Sequence, residues 1–253
     1  MNSSGGVALT ADRLDAAVKE AMAAAAISDP DAAWSWHRTP DTIELHGDLP
    51  PLADPQHREL MLTGGAALLN LRILIRGFGV HPAVRAVPDP TRRHLIAVVR
   101  LEGPRPVTAD DRAMVDAVLH GANGRPGSSE FYGPVSMAGQ PLLTALRRAA
   151  KVEQSWLAVQ PDAGPVPTGI GRPAGDGARG AMMLIVGTVL DGPGARLQAG
   201  QAAQRVVLTA ATARVRVRPL PAVLHQPADR QTLRDLIGGG LWPQAVLWLR
   251  LDG

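Results

Sequence analysis

The feature of this sequence that most constrains its fold is an internal duplication. Residues 245–253, AVLWLRLDG, resemble residues 95–103, LIAVVRLEG. Each segment follows a long apolar run, which reads GGAALLNLRILIRGFGV from Gly64 and GQAAQRVVLTAATARV from Gly200. The two runs align without a gap when Gly65 is paired with Gly200. A repeat that occurs only twice, with copies far longer than those of repeat arrays, indicates two similar units fused in one chain.

A weaker correspondence extends the duplication to the start of each half. LDAAVKEAMAAAA from Leu14 precedes Trp36, and LLTALRRAAKV from Leu142 precedes Trp156. Each half is therefore predicted to contain a helix, a strand, a long helix and a strand. The alternative is chance similarity between apolar helices of similar composition.

The predicted domain organisation follows from this duplication. Residues 1–139 form the first half and residues 140–253 the second, and the two halves form one compact unit. Residues 1–9, which precede the first helical pattern, are expected to be disordered. Residues 163–180 are rich in Gly and Pro and are predicted to form a flexible loop or lid.

Local patterns predict the other elements. Thr10 is suited to capping a first helix that ends near Ile27. A long helix is predicted for residues 56–77, and its apolar stretch from Leu60 to Ile75 indicates a buried central helix. Further helices are predicted for residues 108–120, 195–213 and 229–237. Strands are predicted for residues 33–38, 42–46, 84–87, 95–101 and 182–189 and for the end of the chain.

Composition excludes several classes of function. The chain has no cysteine, which excludes thiol catalysis and thiolate metal sites and agrees with a reducing cytoplasm. No apolar run reaches the expected length of a membrane span, and the first residues lack the pattern of a secretory signal. We therefore expect a soluble, cytoplasmic protein without a membrane partner. The formal charge of +3 is spread without a basic block and aromatic residues are scarce, so no nucleic-acid partner is expected.

Motifs of other enzyme classes are absent from the sequence. The seven histidines show no metal-ligand spacing, and no serine lies in a Gly-x-Ser-x-Gly elbow. The glycines between Gly169 and Gly180 are not followed by the Lys-Ser or Lys-Thr of a phosphate-binding loop. Zinc hydrolysis and serine-type acyl transfer are therefore not expected.

Several local strings, in their order, resemble one known family. They are Trp34-Ser35-Trp36, Arg58-Glu59-Leu60 before Gly64, Gly164-Pro165-Val166-Pro167, Leu233-Arg234-Asp235-Leu236-Ile237-Gly238, and Pro243-Gln244. The chain resembles the FMN-dependent nitroreductase superfamily, and within it the Acg-type branch, in which a nitroreductase dimer is fused into one chain. The resemblance implies an α+β fold with a mixed central sheet flanked by helices, and FMN held where two pseudo-symmetric halves meet.

The chain departs from the family at its flavin motifs. Where family members carry an Arg, a Ser and a Gln around the end of the first helix, this chain has Ala24, Ile27 and Ala32. It also adds the carboxylates Asp29 and Asp31. A second flavin-associated string, rich in arginine in the family, falls on residues 121–125. Of its arginines only Arg125 remains, and each lost charge-assisted contact is worth about 1.5–3 kcal/mol.

The resemblance leaves Arg58, Arg125, Ser28 and Trp34 as candidate cofactor-binding residues. Three of them have a structural alternative: Arg125 is then a solvated loop residue, Arg58 pairs with Asp54 or Glu59, and Trp34, like Trp36, is a buried anchor. The lost cations could also be replaced by arginines of the second loop, which are Arg172 and Arg179.

Two functions remain open at this point. In the first, the chain is a flavoprotein that binds FMN as a reductase or as a flavin store. In the second, it is a degenerate, flavin-free relative that binds another small molecule or acts as a regulatory or interaction module. A monomer is the expected state because the interface of the ancestral dimer lies within one chain, and a homodimer is the alternative.

Overall fold

The computed structural model describes residues 10–25, 34–39, 41–47, 55–86, 91–92, 94–121, 139–161, 181–220, 224 and 226–250. Within them the helices are α1 (Ala11–Ala23), α2 (Pro55–Gly77), α3 (Ala109–Asp116), α4 (Gln140–Val152), α5 (Pro193–Thr212) and α6 (Pro227–Leu236). A π-helical turn, Ala117–Gly121, follows α3. The strands are β1 (Trp34–Arg38), β2 (Thr42–Gly47), β3 (Val80–Ala86), β4 (Leu95–Pro104), β5 (Trp156–Pro161), β6 (Ala181–Thr188), β7 (Arg216–Pro219) and β8 (Trp242–Arg250).

The strands form two antiparallel sheets with corresponding strand orders. One sheet has the order β1-β2-β4-β3 and the other β5-β6-β8-β7. In each, a helix precedes the first strand pair and a long helix connects it to the second pair. The fold is therefore α+β. The first half has both predicted strand pairs, and the second half also has two pairs, although its sequence patterns located only residues 182–189 and the end of the chain.

The strand register differs from the sequence echo at the end of the chain. Pro82 on β3 pairs with Leu101 on β4, and the residue that aligns with Pro82, Val217 on β7, pairs with Leu249 on β8. Leu101 therefore corresponds to Leu249, whereas the echo matched it to Leu251. The predicted alignment of these last strands is wrong by two residues, because a shift of two keeps every side chain on the same face and preserves the apolar alternation.

Helices α2 and α5 cross through glycines at the centre of the molecule. A Cβ atom on Gly65 would overlap the carbonyl oxygen of Leu197 and lie 2.9 Å from the backbone nitrogen of Gln201. A Cβ atom on Gly200 would overlap the carbonyl oxygen of Leu62. Only glycine allows two helix backbones to approach this closely.

Each central helix contributes a leucine to the core of the other half. Leu197 of α5 packs in the cluster built mainly from α1, α2, β2 and β4, with Leu68 and Ile75 among its members. Leu62 of α2 packs in the cluster built mainly from α4, α5 and the second sheet. The two cores are thus joined through the crossing. A third cluster packs α6 against the opposite face of the second sheet through Leu233.

Most predicted elements occur, with shifts of a few residues at their ends. Thr10 caps α1, since its hydroxyl accepts a hydrogen bond from the backbone nitrogen of Arg13. Strand β3 begins at Val80 rather than at residue 84, and β7 was not predicted. Residues 1–9 and 163–180, predicted to be disordered and a flexible loop, lie outside the described residues.

The central helix α2 meets the length and composition of a membrane span, contrary to the expectation from sequence. The segment His57–Gly77 qualifies, yet 83% of its qualifying window is buried inside the protein. Burial of this extent is typical of the core helix of a folded domain.

Candidate functional site

The end of α1, where the resemblance expects an arginine, is closed by packing. Ala24 and Ala25 are only 4% and 3% exposed. The carbonyl oxygen of Ala24 accepts a hydrogen bond from Gln204 Nε2 at 3.1 Å. Ala25 packs against Ala66 and Ala67 of α2. Methyl groups and satisfied backbone atoms therefore occupy this position.

A buried amide pair fixes α1 on the two central helices. Asn70 Nδ2 donates to the carbonyl oxygen of Ala21 at 3.1 Å, and Gln204 Nε2 donates to Asn70 Oδ1 at 2.9 Å. Neither amide side chain is exposed. Buried amides of this kind specify one arrangement of the helices because a mispaired donor in a dry interior costs about 1–3 kcal/mol.

Of the four candidate cofactor-binding residues, only Arg58 can be followed in detail. Ser28 and Arg125 lie outside the described residues. The backbone of Trp34 belongs to β1 and pairs with Gly47. Its neighbour Trp36 is partly buried against the core of the first half, as expected for an aromatic anchor, with an indole Nε1 that finds no acceptor among the described residues.

Arg58 is buried between the two halves of the chain. Its side chain, on α2, is 5% exposed. One guanidinium nitrogen donates to the side chain of Gln244 on β8, and the other donates to Asp191 Oδ1 at 2.9 Å. Its ion-pair partner is Asp191 of the second half, whereas Asp54, one of the two acids expected from sequence, lies outside the described residues.

Asp191, the residue before the cap of α5, is shared by three arginines. Besides Arg58, Arg196 Nε lies 3.3 Å from Asp191 Oδ1, and Arg230 Nη1 of α6 lies 3.3 Å from Oδ2. We call Arg58, Asp191, Arg196, Arg230 and Gln244 the Arg58 cluster. Three guanidinium groups meet one carboxylate, so the cluster carries an excess of positive charge.

Gln244 owes its place in this cluster to a β-bulge. The pairing of β6 with β8 passes over Gln244 between Ala245 and Pro243, as the pairing of β2 with β4 passes over Ile96. Ile96 is an apolar core residue, whereas Gln244 Nε2 donates to Thr188 Oγ1 at 2.8 Å. Bulges redirect side chains and often occur beside binding sites. The two halves therefore differ at the position where the second half carries its polar cluster.

Burial and charge set the protonation behaviour of the cluster. Burial lowers the pKa of Arg58 to about 10, although the Asp191 carboxylate opposes this shift. Burial would raise the pKa of Asp191, but the charge of Arg58 and hydrogen bonds from Gln244 and Arg196 outweigh it and hold that pKa below its usual range. The cluster therefore keeps both signs of charge at neutral pH.

His57 extends the cluster on α2. Arg196 Nη1 lies 3.3 Å from His57 Nδ1. A guanidinium group only donates, so Nδ1 accepts and the ring carries its proton on Nε2. This tautomer keeps a further positive charge out of a region that already has an excess of cations.

The cluster suits a phosphate group, whereas the adjoining cavity does not suit a flavin ring. The buried Nε of Arg230 has no hydrogen-bond acceptor among the described residues, and the cap of α5, Gly192, leaves the first backbone donors of that helix without a side-chain partner. Guanidinium groups and helix amino ends are the groups that bind phosphate. The adjoining cavity, lined by Leu62, Leu224 and Gln244, has room for about one water molecule.

The cluster contains residues that the sequence patterns did not identify as a site. Asp191, Arg196 and Arg230 come from separate elements of the second half, and Gln244 was noted only as part of a family string. Asp191-Gly192-Pro193 does resemble a helix start, but nothing in its spacing indicates Arg58 as a partner. A comparison with protein-family models gives no match for this chain, and a comparison with curated proteins gives none.

Proposed function

We propose that this chain is a nitroreductase-like protein of the Acg type, in which two fused α+β units bind a phosphorylated small molecule where they meet. FMN is the first ligand to test, held either for reduction of a substrate or as a flavin store. The observation that carries the proposal is the excess of guanidinium groups in the Arg58 cluster, which joins α2 of the first half to α5, α6 and β8 of the second.

Reciprocal contacts at the helix crossing support the fused-pair part of the proposal. Gly65 approaches Leu197, and Gly200 approaches Leu62. The sequence alignment that pairs Gly65 with Gly200 also pairs Leu62 with Leu197. In a symmetric dimer, residue i of one subunit contacts residue j of the other, and j contacts i. The crossing has this property within one chain.

The chemistry of the cluster supports a phosphate-bearing ligand over a neutral one. Arg58 is fully engaged by Gln244 and Asp191, so it positions the cluster. Arg230, whose side chain is 26% exposed, is the arginine of the three that solvent reaches best. We infer that Arg196 and Arg230 receive the phosphate beside the start of α5, since charge-assisted hydrogen bonds are the strong ones. No electron-transfer step follows from these residues, because none of them forms a wall for a flavin ring.

A second candidate function is favoured by the packing at the end of α1. Ala24 occupies the position that the resemblance assigns to an arginine and is buried, and Gln204 already satisfies its carbonyl oxygen. In this alternative the chain is a flavin-free relative that uses the Arg58 cluster for another anionic ligand or for regulation. Both alternatives share the anion site and differ in whether a flavin ring is bound.

Purification and titration distinguish the two candidates. The protein is purified from a flavin-replete host and examined for the yellow flavin absorbance, then titrated with FMN while flavin fluorescence and the melting temperature are followed. The flavoprotein alternative predicts quenched fluorescence and a melting temperature that rises with FMN concentration, because a ligand that binds only the native state stabilises it. Colourless protein that shows neither response excludes that alternative, and a nicotinamide-dependent assay then separates a reductase from a flavin store.

The proposed location and assembly are tested separately. We propose a cytoplasmic monomer, since the fused units already provide the paired interface. Light scattering coupled to gel filtration should give a mass near the 26.6 kDa of one chain. A mass of twice this value at all concentrations would show that a further interface exists.

A further inference from the structure

A second group of arginines lies at the carboxyl end of the central helices. It consists of Arg72, Arg76, Arg105, Arg205, Asp111 and Glu153, which we call the Arg76 cluster. Four guanidinium groups face two carboxylates, so an excess of positive charge remains within the group. Arg76 is eighteen positions after Arg58 in α2, which corresponds to about 27 Å along the helix. The two clusters are therefore at opposite ends of α2.

Both carboxylates of the Arg76 cluster are already engaged by other groups. Glu153 accepts from Arg72 Nη1 at 2.7 Å and from Arg205 Nε at 2.7 Å, one on each oxygen. Asp111 Oδ2 accepts from Arg105 Nη1 at 2.9 Å and from the backbone nitrogen of Thr108 at 2.9 Å in a capping box. Both oxygens of Glu153 and Asp111 Oδ2 are therefore engaged, and Asp111 Oδ1 is the carboxylate oxygen left to face Arg76.

Within the described part of the chain Arg76 makes no hydrogen bond. Its Nε is buried without an acceptor there, and the ion pair with Asp111 Oδ1 is long, at 3.5 Å. Burial lowers the pKa of Arg76, and the charges of Arg105, Arg205 and Arg72 lower it further. Arg72 also lies one turn away on α2, where like charges repel. The carboxyl ends of helices favour cations, but only weakly, so they do not offset the repulsion among these guanidinium groups.

We infer that the Arg76 cluster is a binding site for a tetrahedral oxyanion, either inorganic phosphate or the phosphate of a small phosphomonoester. An oxyanion in contact with Arg76 supplies the acceptors that this guanidinium lacks and offsets the excess charge of its neighbours. Arg76 is 36% exposed, the most exposed of the four arginines, so the anion reaches it from solvent. This inference does not depend on the proposed flavin site.

The test compares phosphate with chloride at equal ionic strength. The melting temperature of the wild-type chain should rise with sodium phosphate and not with sodium chloride. In the Arg76→Gln variant the dissociation constant for phosphate, measured by calorimetry, should increase about tenfold or more, which corresponds to one lost charge-assisted contact. Because this change also removes like-charge repulsion, the variant should fold at least as stably as wild type in phosphate-free buffer.

Two control variants locate the anion. Arg38→Gln removes an exposed guanidinium group that pairs with Asp15 on the surface and should leave phosphate binding unchanged. Arg230→Gln perturbs the Arg58 cluster. The inference is overturned if wild type does not respond to phosphate, if Arg76→Gln binds it as wild type does, or if Arg230→Gln alone abolishes the response. AMP is then titrated against bound phosphate. If AMP binds more tightly than phosphate, the ligand of the Arg76 cluster is a phosphomonoester, and if it binds more weakly, the ligand is the free anion.

Discussion

Gly65 and Gly200 face each other where α2 and α5 cross, each within backbone contact of the other helix. A Cβ atom on Gly200 would lie 3.0 Å from the Cα atom of Gly65 and would overlap the carbonyl oxygen of Leu62. Arg58 near the start of α2 contacts Asp191 just before α5, and further along both helices Asn70 contacts Gln204. The two central helices therefore run in the same direction. The crossing therefore fixes both the distance between the halves and the orientation of the Arg58 cluster.

The glycine crossing predicts a strong and reciprocal effect of alanine. Gly65→Ala and Gly200→Ala should each lower the free energy of unfolding by about 3 kcal/mol or more, since the new methyl group meets backbone that cannot move aside. Denaturant titration measures this. Gly194→Ala, in the first turn of α5 with no atom within 4 Å of the new Cβ, is the matched control and should be neutral or stabilising by up to about 1 kcal/mol. Equal effects at all three positions would contradict the close approach.

Asp191 predicts a specific loss of stability in acid. Its pKa is lowered in the folded protein, so its contribution is present above the unfolded value of about 3.9 and is lost as the pH falls through the folded pKa. Asp191→Asn should be less stable than wild type at pH 7, because three arginines lose their carboxylate. The difference in free energy of unfolding between wild type and Asp191→Asn should shrink below about pH 4. Urea titrations at several pH values test this, and a difference that is constant with pH would contradict the assignment.

Arg58 and Gln244 should be energetically coupled. Gln244→Leu leaves a buried guanidinium nitrogen without its acceptor, and Arg58→Met leaves Asp191 with one cation fewer, so each change alone should cost about 3 kcal/mol. The double variant should cost less than the sum of the two by about 1 kcal/mol or more, since it no longer contains the guanidinium nitrogen that Gln244→Leu leaves unpaired. Additive losses in the double-mutant cycle would show that the contact contributes little.

The buried amide pair should control how firmly α1 is attached. Asn70→Leu removes the donor to Ala21 and the acceptor of Gln204, so it should destabilise the protein by about 1–3 kcal/mol. Hydrogen exchange should be accelerated most in α1. Gln231→Ala, an exposed residue of α6 that bonds to Asp235, is the control and should leave exchange in α1 unchanged. Uniform acceleration across the chain would contradict a local role.

Long-period patterns in the sequence predicted the fold better than they predicted the cluster. The apolar runs that start at Gly64 and Gly200 indicated both central helices, because a helix that is buried on most sides has an almost continuous apolar sequence. Strand β7 is short and exposes alternate charged residues, Arg216 and Arg218, so its apolar content is too low to indicate a strand. The sequence echo misaligned β8 with β4 by two residues, because a shift of two residues leaves every side chain on the same face of the sheet.

The Arg58 cluster could not be predicted because it joins residues far apart in sequence. Arg58 and Asp191 are 133 positions apart, and their contact follows from the helix crossing rather than from any local spacing. The resemblance did identify Arg58, but only as a candidate flavin ligand. Ser28 and Arg125, the candidates nearest to the altered motifs, lie outside the described residues, and their role stays a prediction.

The most direct test of the proposed phosphate site is calorimetric titration of the protein with FMN and with riboflavin, which lacks the phosphate. We predict that FMN binds about tenfold or more tightly than riboflavin, and that Arg230→Gln removes most of this difference while Arg38→Gln preserves it. Equal affinities for FMN and riboflavin in the wild-type protein, or a preference for FMN that survives Arg230→Gln, would contradict binding of a phosphorylated ligand at the Arg58 cluster.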